Sequence, residues 1–272
     1  MKKLKIILSI VTLLILIIFA AFYNRLTVKH YEIKTDKITA QIKIVLIADL
    51  HSCFYGENQI ELIKKINDQN PDIILLAGDI ADDYMPHDGA IALLEGITEK
   101  YPCYYVSGNH EYWSNDIDNI KKMFRDHNVT VLEGNNETIT VKEQRINVSG
   151  VDDTYIGWES FNSQIESAFM GLDENNYTIL LSHHPELTDI YKELSCDLIV
   201  SGHAHGGQWR IPFLLNGFLA PNQGFFPKYA GGLYDLNSRK MVVSRGLSRE
   251  SSRIPRIFNP PELVVIDVSP IS

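Results

Sequence analysis

The sequence is poor in cysteine and, outside its N-terminus, poor in positive charge. Three cysteines among 272 residues, Cys53, Cys103 and Cys196, are odd in number and show no short paired spacing. That excludes a disulfide framework and a zinc knuckle, and leaves three thiols for the interior. Residues 1–30 hold no acidic residue and five of the 25 Lys and Arg, so the remainder sets 20 basic side chains against 34 acidic ones. A general nucleic-acid binder neutralises phosphates with Lys and Arg, and this balance argues against one. Internal repeats and low-complexity tracts are missing as well. A 272-residue chain with 45% apolar content suffices for one domain with a sizeable core.

What is present begins with a long apolar run. From Ile6 to Tyr23 only Ser9 and Thr12 are polar, about the length a helix needs to cross a bilayer. A cleaved signal peptide wants small residues one and three positions before the cut. Cleavage after Ala21 puts Phe19 at the third position, and cleavage after Ala20 puts Ile18 there. An uncleaved anchor over 6–23 is therefore expected. Lys2, Lys3 and Lys5 outweigh Arg25 and Lys29, which assigns 1–5 to the cytoplasm and the rest to the outer side of the cell membrane. A polar linker over 24–40 and a folded domain over 41–272 would follow.

Beyond the linker, apolar runs alternate with amphipathic ones. Strands are expected at 43–48, 73–77 and 103–106, separated by a helix with Ile60, Ile63 and Ile66 on one face up to Pro71, and by another over 90–100. Residues 116–127 read as an amphipathic helix with Ile117, Ile120 and Phe124 inward. The pattern then shifts to short strands at 129–132, 138–141 and 146–151, whose Gly and Asn turns suit antiparallel pairing. Helices over 160–169 and 186–194 alternate with strands at 178–181 and 198–200, and the segments 233–236, 241–244 and 263–268 are again β. Two α/β halves joined by β segments predict an α/β fold of two packed sheets covered by helices.

Chemistry collects where these strands stop. The first runs into Asp49-Leu50-His51, the second into Gly78-Asp79-Ile80-Ala81-Asp82, and the third into Gly108-Asn109-His110-Glu111. Two later ones run into His183-His184-Pro185 and Gly202-His203-Ala204-His205-Gly206-Gly207. Such ends form the rim where open α/β sheets seat ligands. Each motif alone has a plain explanation: Asp caps helices, Gly-Asp and Asn make turns, His-Pro starts a helix. Their recurrence at every one of these strand ends does not. Carboxylates, imidazoles and an amide oxygen make a donor set for Mn, Fe or Zn rather than a thiolate site. Cys53, two residues past His51, reads as a small core residue.

The ordered set Asp-x-His, Gly-Asp-x-x-Asp, Gly-Asn-His-Glu, His and Gly-His-x-His, over about residues 43–206, resembles the calcineurin-like metallophosphoesterase family. Gly206-Gly207-Gln208, Val243-Ser244-Arg245-Gly246-Leu247 and Pro260-Pro261-Glu262 are similar to a bacterial branch of membrane-attached phosphodiesterases. That branch includes enzymes resembling UDP-2,3-diacylglucosamine pyrophosphatases. The resemblance implies a four-layer α/β/β/α sandwich of two mixed sheets. It also implies two divalent metal ions, Mn foremost, with Fe or Zn as alternatives. Asp49, His51 and His205 would bind the first ion, Asn109, His183 and His203 the second, and Asp79 would bridge them. A His-x-Pro pattern favours His183 over the adjacent His184.

His110 has no metal role in that pattern and is expected to hydrogen-bond the phosphoryl group or protonate the leaving oxygen. Asp82 or Glu111 would orient a histidine, or act as an ordinary cap. Hydroxide activated between the cations would cleave a phosphodiester or pyrophosphate bond. The apolar stretch from Trp209 to Phe226 directly follows the metal loop, either as a lid packed on its own sheet or as a ligand or membrane surface. With the anchor, it makes a lipid-linked substrate the leading expectation. A tethered soluble nucleotide or cyclic-nucleotide phosphodiesterase, or a non-catalytic metal-binding scaffold, are the alternatives. Nothing in the sequence sets the oligomeric state.

Overall fold

The central strands send alternate side chains into different layers, and that division builds the molecule. The computed structural model describes residues 2–249 and 254–271; residues 1, 250–253 and 272, including the outer ends of the expected 1–5 and 41–272 segments, lie outside the described residues. In chain order the first elements are α1 (Lys2–Ala21), β1 (Thr27–Thr35), β2 (Ile42–Ile47), α2 (Ile60–Gln69), β3 (Ile73–Ala77), α3 (Asp88–Ile97) and β4 (Cys103–Val106). Then come α4 (Asn109–Trp113), α5 (Ile117–Asp126), β5 (Thr130–Val131), β6 (Asn135–Val141), β7 (Gln144–Gly150), α6 (Trp158–Ala168) and β8 (Tyr177–Leu181). The last are α7 (Thr188–Tyr191), β9 (Leu198–Ser201), β10 (Leu219–Ala220), β11 (Gly224–Phe225), β12 (Gly232–Leu236), β13 (Arg239–Val243) and β14 (Glu262–Pro270).

One sheet has the order β1-β14-β2-β3-β4-β5, and the other β12-β13-β9-β8-β7-β6. The strands β2, β3, β4 and β5 are mutually parallel, as are β7, β8, β9 and β13, while β14, β12 and β6 add antiparallel pairings. Ile44, Leu46, Ile73, Leu75, Tyr104 and Val106 of the first sheet meet Ile146, Val148, Ile179, Leu181, Leu198 and Val200 of the second. The intervening residues Val45, Ile47, Ile74, Leu76 and Tyr105 face the other way, under Leu62 and Ile66 of α2, Leu93, Leu94 and Ile97 of α3, and Phe124 of α5. On the far side Leu180, Ile199, Met241 and Val243 pack with Tyr191 of α7, while Phe161 and Ile165 of α6 cover Val151. Four layers result, in the order α/β/β/α. Strands covered on both faces must be apolar throughout, since each side chain removed from water contributes about 1.5–3 kcal/mol.

Helix boundaries follow local chemistry. Ahead of α2, the Gln59 side chain accepts from Tyr55 N and donates to the carbonyls of Cys53 and Gly89, which locks the turn into the helix. Its far end stops at Asn70 in the left-handed region, before Pro71. All three cysteines are buried, and Cys53 sits in the same apolar cluster as Leu50 and Ile80.

Three expectations need correction. The segment 24–40 is no linker, because β1 runs parallel to β14 over nine paired positions and buries Ile33. Its polar residues lie along a sheet edge, and its partner is at the other end of the chain, so no local pattern reveals it. The strand at 129–132 does not pair antiparallel with its successors; β5 joins β4 in parallel after the α5 crossover. The helix expected over 186–194 shrinks to Thr188–Tyr191, because the Glu186 side chain is drawn to His184 and Asn222. Helix α1 agrees with expectation: its side chains are almost wholly exposed, and it is long and apolar enough to cross a membrane.

Phe124 is fully buried and stacks on Tyr105 with ring centroids 3.7 Å apart. Phe124→Ala is expected to lower unfolding free energy by about 3–5 kcal/mol, and Phe124→Leu by much less, because the former leaves a cavity. Urea denaturation checks this; equal losses in the two variants would show that the stacking cluster is not a packing centre.

Candidate metal centre

The ends of β2, β3, β4, β8 and β9 converge on one edge of the two sheets. There Asp49, His51, Asp79, His203 and His205 have φ of 50°, 48°, 53°, 65° and 47°. Non-glycine residues in the left-handed region cost on the order of 1–3 kcal/mol each and persist only where their surroundings hold them. The hold is a set of cross-loop bonds. Asp49 N donates to Gly78 O at 3.0 Å, and His51 N to Asp79 O at 2.9 Å. The buried Glu111 carboxylate accepts from the amides of Asp79, Ile80, Ala81 and Gly108 at 2.9, 2.7, 3.0 and 2.8 Å. Glu111 thus ties the β3 loop to the β4 loop and touches no histidine ring. Gly108 allows the close approach, since a Cβ there would sit 2.3 Å from Asp79 Oδ1.

The imidazoles are oriented from behind. His51 Nδ1–H donates to Asp82 Oδ2 at 3.0 Å, and His183 Nδ1–H to the Ala77 carbonyl at 2.8 Å. His205 Nδ1 lies 3.2 Å from Ser248 Oγ. With Nδ1 engaged, Nε2 of His51 and His183 presents a lone pair to the centre. Both atoms are buried without a hydrogen-bond partner, as are Asp49 Oδ2, Asp79 Oδ2 and Asn109 Oδ1. Buried polar atoms are almost always satisfied. Here five orphans, all acceptors, belong to residues of one edge.

Distances complete the picture. Asp79 Oδ2 lies 3.1 Å from His183 Nε2 and 3.7 Å from His51 Nε2, and His205 Nε2 lies 3.8 Å from Asp49 Oδ1. Asp49, His51, Asp79 and His205 each place a donor atom within 4.8 Å of the others', and Asp79, His183 and His203 form a second such group. The two groups share Asp79. Carboxylate oxygens and imidazole nitrogens gathered this closely fit divalent cations, and the mixed oxygen and nitrogen donors suit Mn, Fe or Zn. Burial and the neighbouring imidazoles push His203 and His205 well below the ordinary histidine range, which leaves them neutral, as ligands must be.

His110 occupies a different place, at the mouth, with 21% of its side chain exposed. Its ring meets His51 edge-on at 4.3 Å, and its backbone N–H donates to Asp79 Oδ1 at 2.9 Å. Nδ1–H donates to Asp83 Oδ1 at 2.6 Å, which turns Nε2 toward the opening.

His184, whose ring lies 4.3 Å from that of His203, is engaged by carboxylates of its own. Its Nε2 lies 2.7 Å from Asp153 Oδ2 and its Nδ1 2.8 Å from Glu186 Oε1. Against the effect of burial, these two carboxylates raise it to about 9. Asn222, from the turn between β10 and β11, donates to Glu186 Oε1 at 2.9 Å and lies 3.2 Å from His203 Nε2. Asp83, Asp153, Glu186, Asn222 and Ser248 were not singled out from the sequence. The Asp82-Asp83 and Asp152-Asp153 doublets at strand ends carry a trace of signal; Asn222 and Ser248 carry none, since only folding brings them near.

The calcineurin-like phosphoesterase family model matches residues 42–207. The chain belongs to that family. An uncharacterized metallophosphoesterase of Campylobacter jejuni is 30% identical to it over 274 residues, covering 96% of this chain and 69% of that protein. The uncharacterized metallophosphoesterase YkuE of Bacillus subtilis is 29% identical over 230 residues, covering 82% and 77%. The structure of phosphopantetheinyl hydrolase from Mycobacterium tuberculosis superposes with a TM-score of 0.51 at 14% identity, covering 80% of this chain and 95% of that one, a likeness of fold. This metallophosphoesterase is therefore a hydrolase of phosphoric esters, of a family that uses divalent metal ions, and it carries a cluster that could hold them.

Loading the chelator-treated metallophosphoesterase with Mn at about 100-fold over Kd is expected to add about 2.7 kcal/mol, or roughly 5–10 °C in Tm. Asp79→Asn should remove most of that shift, and Gly108→Ala should blunt it by displacing the Asp79 carboxylate. A full shift in Asp79→Asn, read by differential scanning fluorimetry, would place the metal elsewhere.

Proposed function

We propose that the chain is a dinuclear phosphohydrolase, anchored by α1, that cleaves a phosphodiester or pyrophosphate bond in a lipid-linked substrate. The observation that carries the reading is the set of five buried, unpartnered acceptors on Asp49, His51, Asp79, Asn109 and His183. Asp49, His51 and His205 would hold one cation, Asn109, His183 and His203 the other, with Asp79 common to both. Mn is the preferred ion, because oxygen donors and imidazoles make up the set and Cys53 is part of the apolar core. Two such cations supply an acidified water and neutralise charge on the phosphoryl oxygens.

The protein's own contribution is positioning and proton handling. Asp82 and the Ala77 carbonyl fix the His51 and His183 rings so that binding costs no reorientation. Asp83 accepts the His110 Nδ1–H and fixes the ring at the mouth of the site, where the imidazolium form would offer its second N–H, on Nε2, to a phosphoryl or leaving oxygen. Substrate preference rests on the exposed apolar segment that follows His205 directly, and on α1. A pyrophosphate carrying acyl chains, the substrate type suggested by the resemblance to UDP-2,3-diacylglucosamine pyrophosphatases, fits that pairing. The Lys2, Lys3 and Lys5 cluster supports an orientation with the catalytic domain outside the cytoplasm.

Hydrolysis of bis-p-nitrophenyl phosphate and of its monoester analogue by the Mn-loaded chain tests the reaction. His110→Ala is expected to lower kcat by about 10²–10⁴ with a small change in KM. Asp83→Asn should lose roughly 10–100-fold by leaving the ring unheld. Unchanged turnover in both Asp79→Asn and His110→Ala would sink the mechanism. A higher kcat/KM on a diacylated pyrophosphate than on a soluble nucleotide diester is expected; the reverse order would favour a tethered nucleotide phosphodiesterase.

A further inference from the structure

The segment after the metal loop carries several exposed large apolar side chains in a short stretch of chain. Phe213 and Leu214 stand almost fully in solvent at the tip of a turn closed by Ile211 and Leu215, and Phe225 and Phe226 are 66% and 65% exposed. These are not scattered residues. Phe218 ties Trp209, Phe225 and Phe226 into one surface, with its ring 5.4, 5.3 and 5.6 Å from theirs. At its base Phe218 N donates to Gly207 O at 2.9 Å, so the surface is fastened to the loop that carries His205. An apolar patch of this kind marks an interaction site.

Where it lies identifies its partner. Phe258 N donates to Ala21 O, the last residue of α1, at 2.7 Å. Phe258 and Pro212 line an apolar cavity of about 380 Å³ with Ala20 and Tyr23. The same Phe258 lines a cavity of about 510 Å³ walled by Phe213 and Leu214 and carrying Arg210 and Arg245. The patch therefore continues directly from the point where α1 leaves the domain. Charge at that exit is also unlike the acidic body: Arg25, Lys65 and Arg249 surround a recess beside Tyr23, against a single Glu61. Arg245 is paired with Glu262, so Arg210 leaves the larger cavity with a cationic excess. Apolar tips flanked by basic groups mirror the acyl chains and phosphates of an anionic leaflet.

We propose that residues 209–226 form a lip that seats in the same bilayer leaflet from which α1 emerges, with Phe213, Leu214, Phe225 and Phe226 among the acyl chains. The metal edge is thereby held against the headgroups. This rests on the anchoring of the chain by α1 and is independent of hydrolysis.

The test uses the full chain reconstituted in phosphatidylcholine–phosphatidylglycerol vesicles that contain a lipid with a nitroxide on its acyl chain. Since Cys53, Cys103 and Cys196 are buried, a fluorescent thiol label reports on Phe213→Cys, Phe226→Cys or, as control, Met170→Cys. Met170 is largely exposed and follows α6, where its carbonyl accepts from Asn136 of the edge strand β6. Several-fold stronger nitroxide quenching at both lip positions than at Met170 is expected, with protection from aqueous iodide. Quenching equal to that of Met170 in vesicles that float with the protein would overturn the lip while leaving the anchor intact. Protection from iodide without nitroxide quenching would also overturn it, and would assign the surface to a second copy of the chain. Failure of the protein to float would remove the anchor and the lip together, without touching the phosphoesterase reading.

Discussion

The Glu111 carboxylate, buried with four backbone N–H groups pointed at it, is the interaction on which the metal edge depends. Three donors come from the loop after β3 and one from the loop after β4, so a single anion sets the spacing between Asp79 and Asn109. An uncharged side chain in its place would leave buried donors unsatisfied, each at about 1–3 kcal/mol. Burial first, and then the nearby Asp79 charge, raise Glu111 to about 7. The amides oppose that rise, as would cations at Asp79. Donor geometry and metal charge therefore support one another, and the protein spends its strongest buried acceptor on shaping a loop.

Around that anchor the edge is deliberately uncomfortable. Five site residues adopt left-handed backbone, and five buried polar atoms of the same edge are left without a geometric hydrogen-bond partner. Neither would survive in an isolated loop. They survive because the two sheets beneath are apolar on both faces, so the strand ends cannot move without opening the layers between them. Strain and unsatisfied charge are concentrated where a divalent cation can relieve both. The hydrogen bonds behind the imidazoles, from His51 to Asp82 and from His183 to the Ala77 carbonyl, ensure that relief comes through Nε2.

The fold places the candidate metal centre and the exposed apolar segment side by side on a single edge. His205 begins the turn whose glycines lead into the Trp209–Phe226 segment, and the end of α1 is hydrogen-bonded to Phe258 alongside it. An enzyme for a substrate with a buried tail and an exposed phosphate benefits from that adjacency, because the two parts of such a molecule are only a headgroup apart.

Much of the core was legible in the linear pattern, because two covered sheet faces demand runs such as Ile73–Ala77 and Cys103–Val106 that are apolar at every position. The candidate donors stood out in the pattern too, since each follows a strand within a few positions and the same chemistry recurs at each end, and folding gathers Asp49, His51, Asp79, His183, His203 and His205 into groups that could hold an ion. What the pattern did not reveal depends on partners distant in sequence. Strand β1 is recognisable only beside β14, and Asn222 matters only because folding sets it against Glu186 and His203. The contrasting surroundings of His183 and His184 are of the same kind. Adjacent in sequence, they differ because a carbonyl from β3 stands behind one and two carboxylates clasp the other. Hydrophobic periodicity is local and determined the layers and the order of the donors; hydrogen-bond direction and cavity shape are set between segments, and only the tertiary structure decided them.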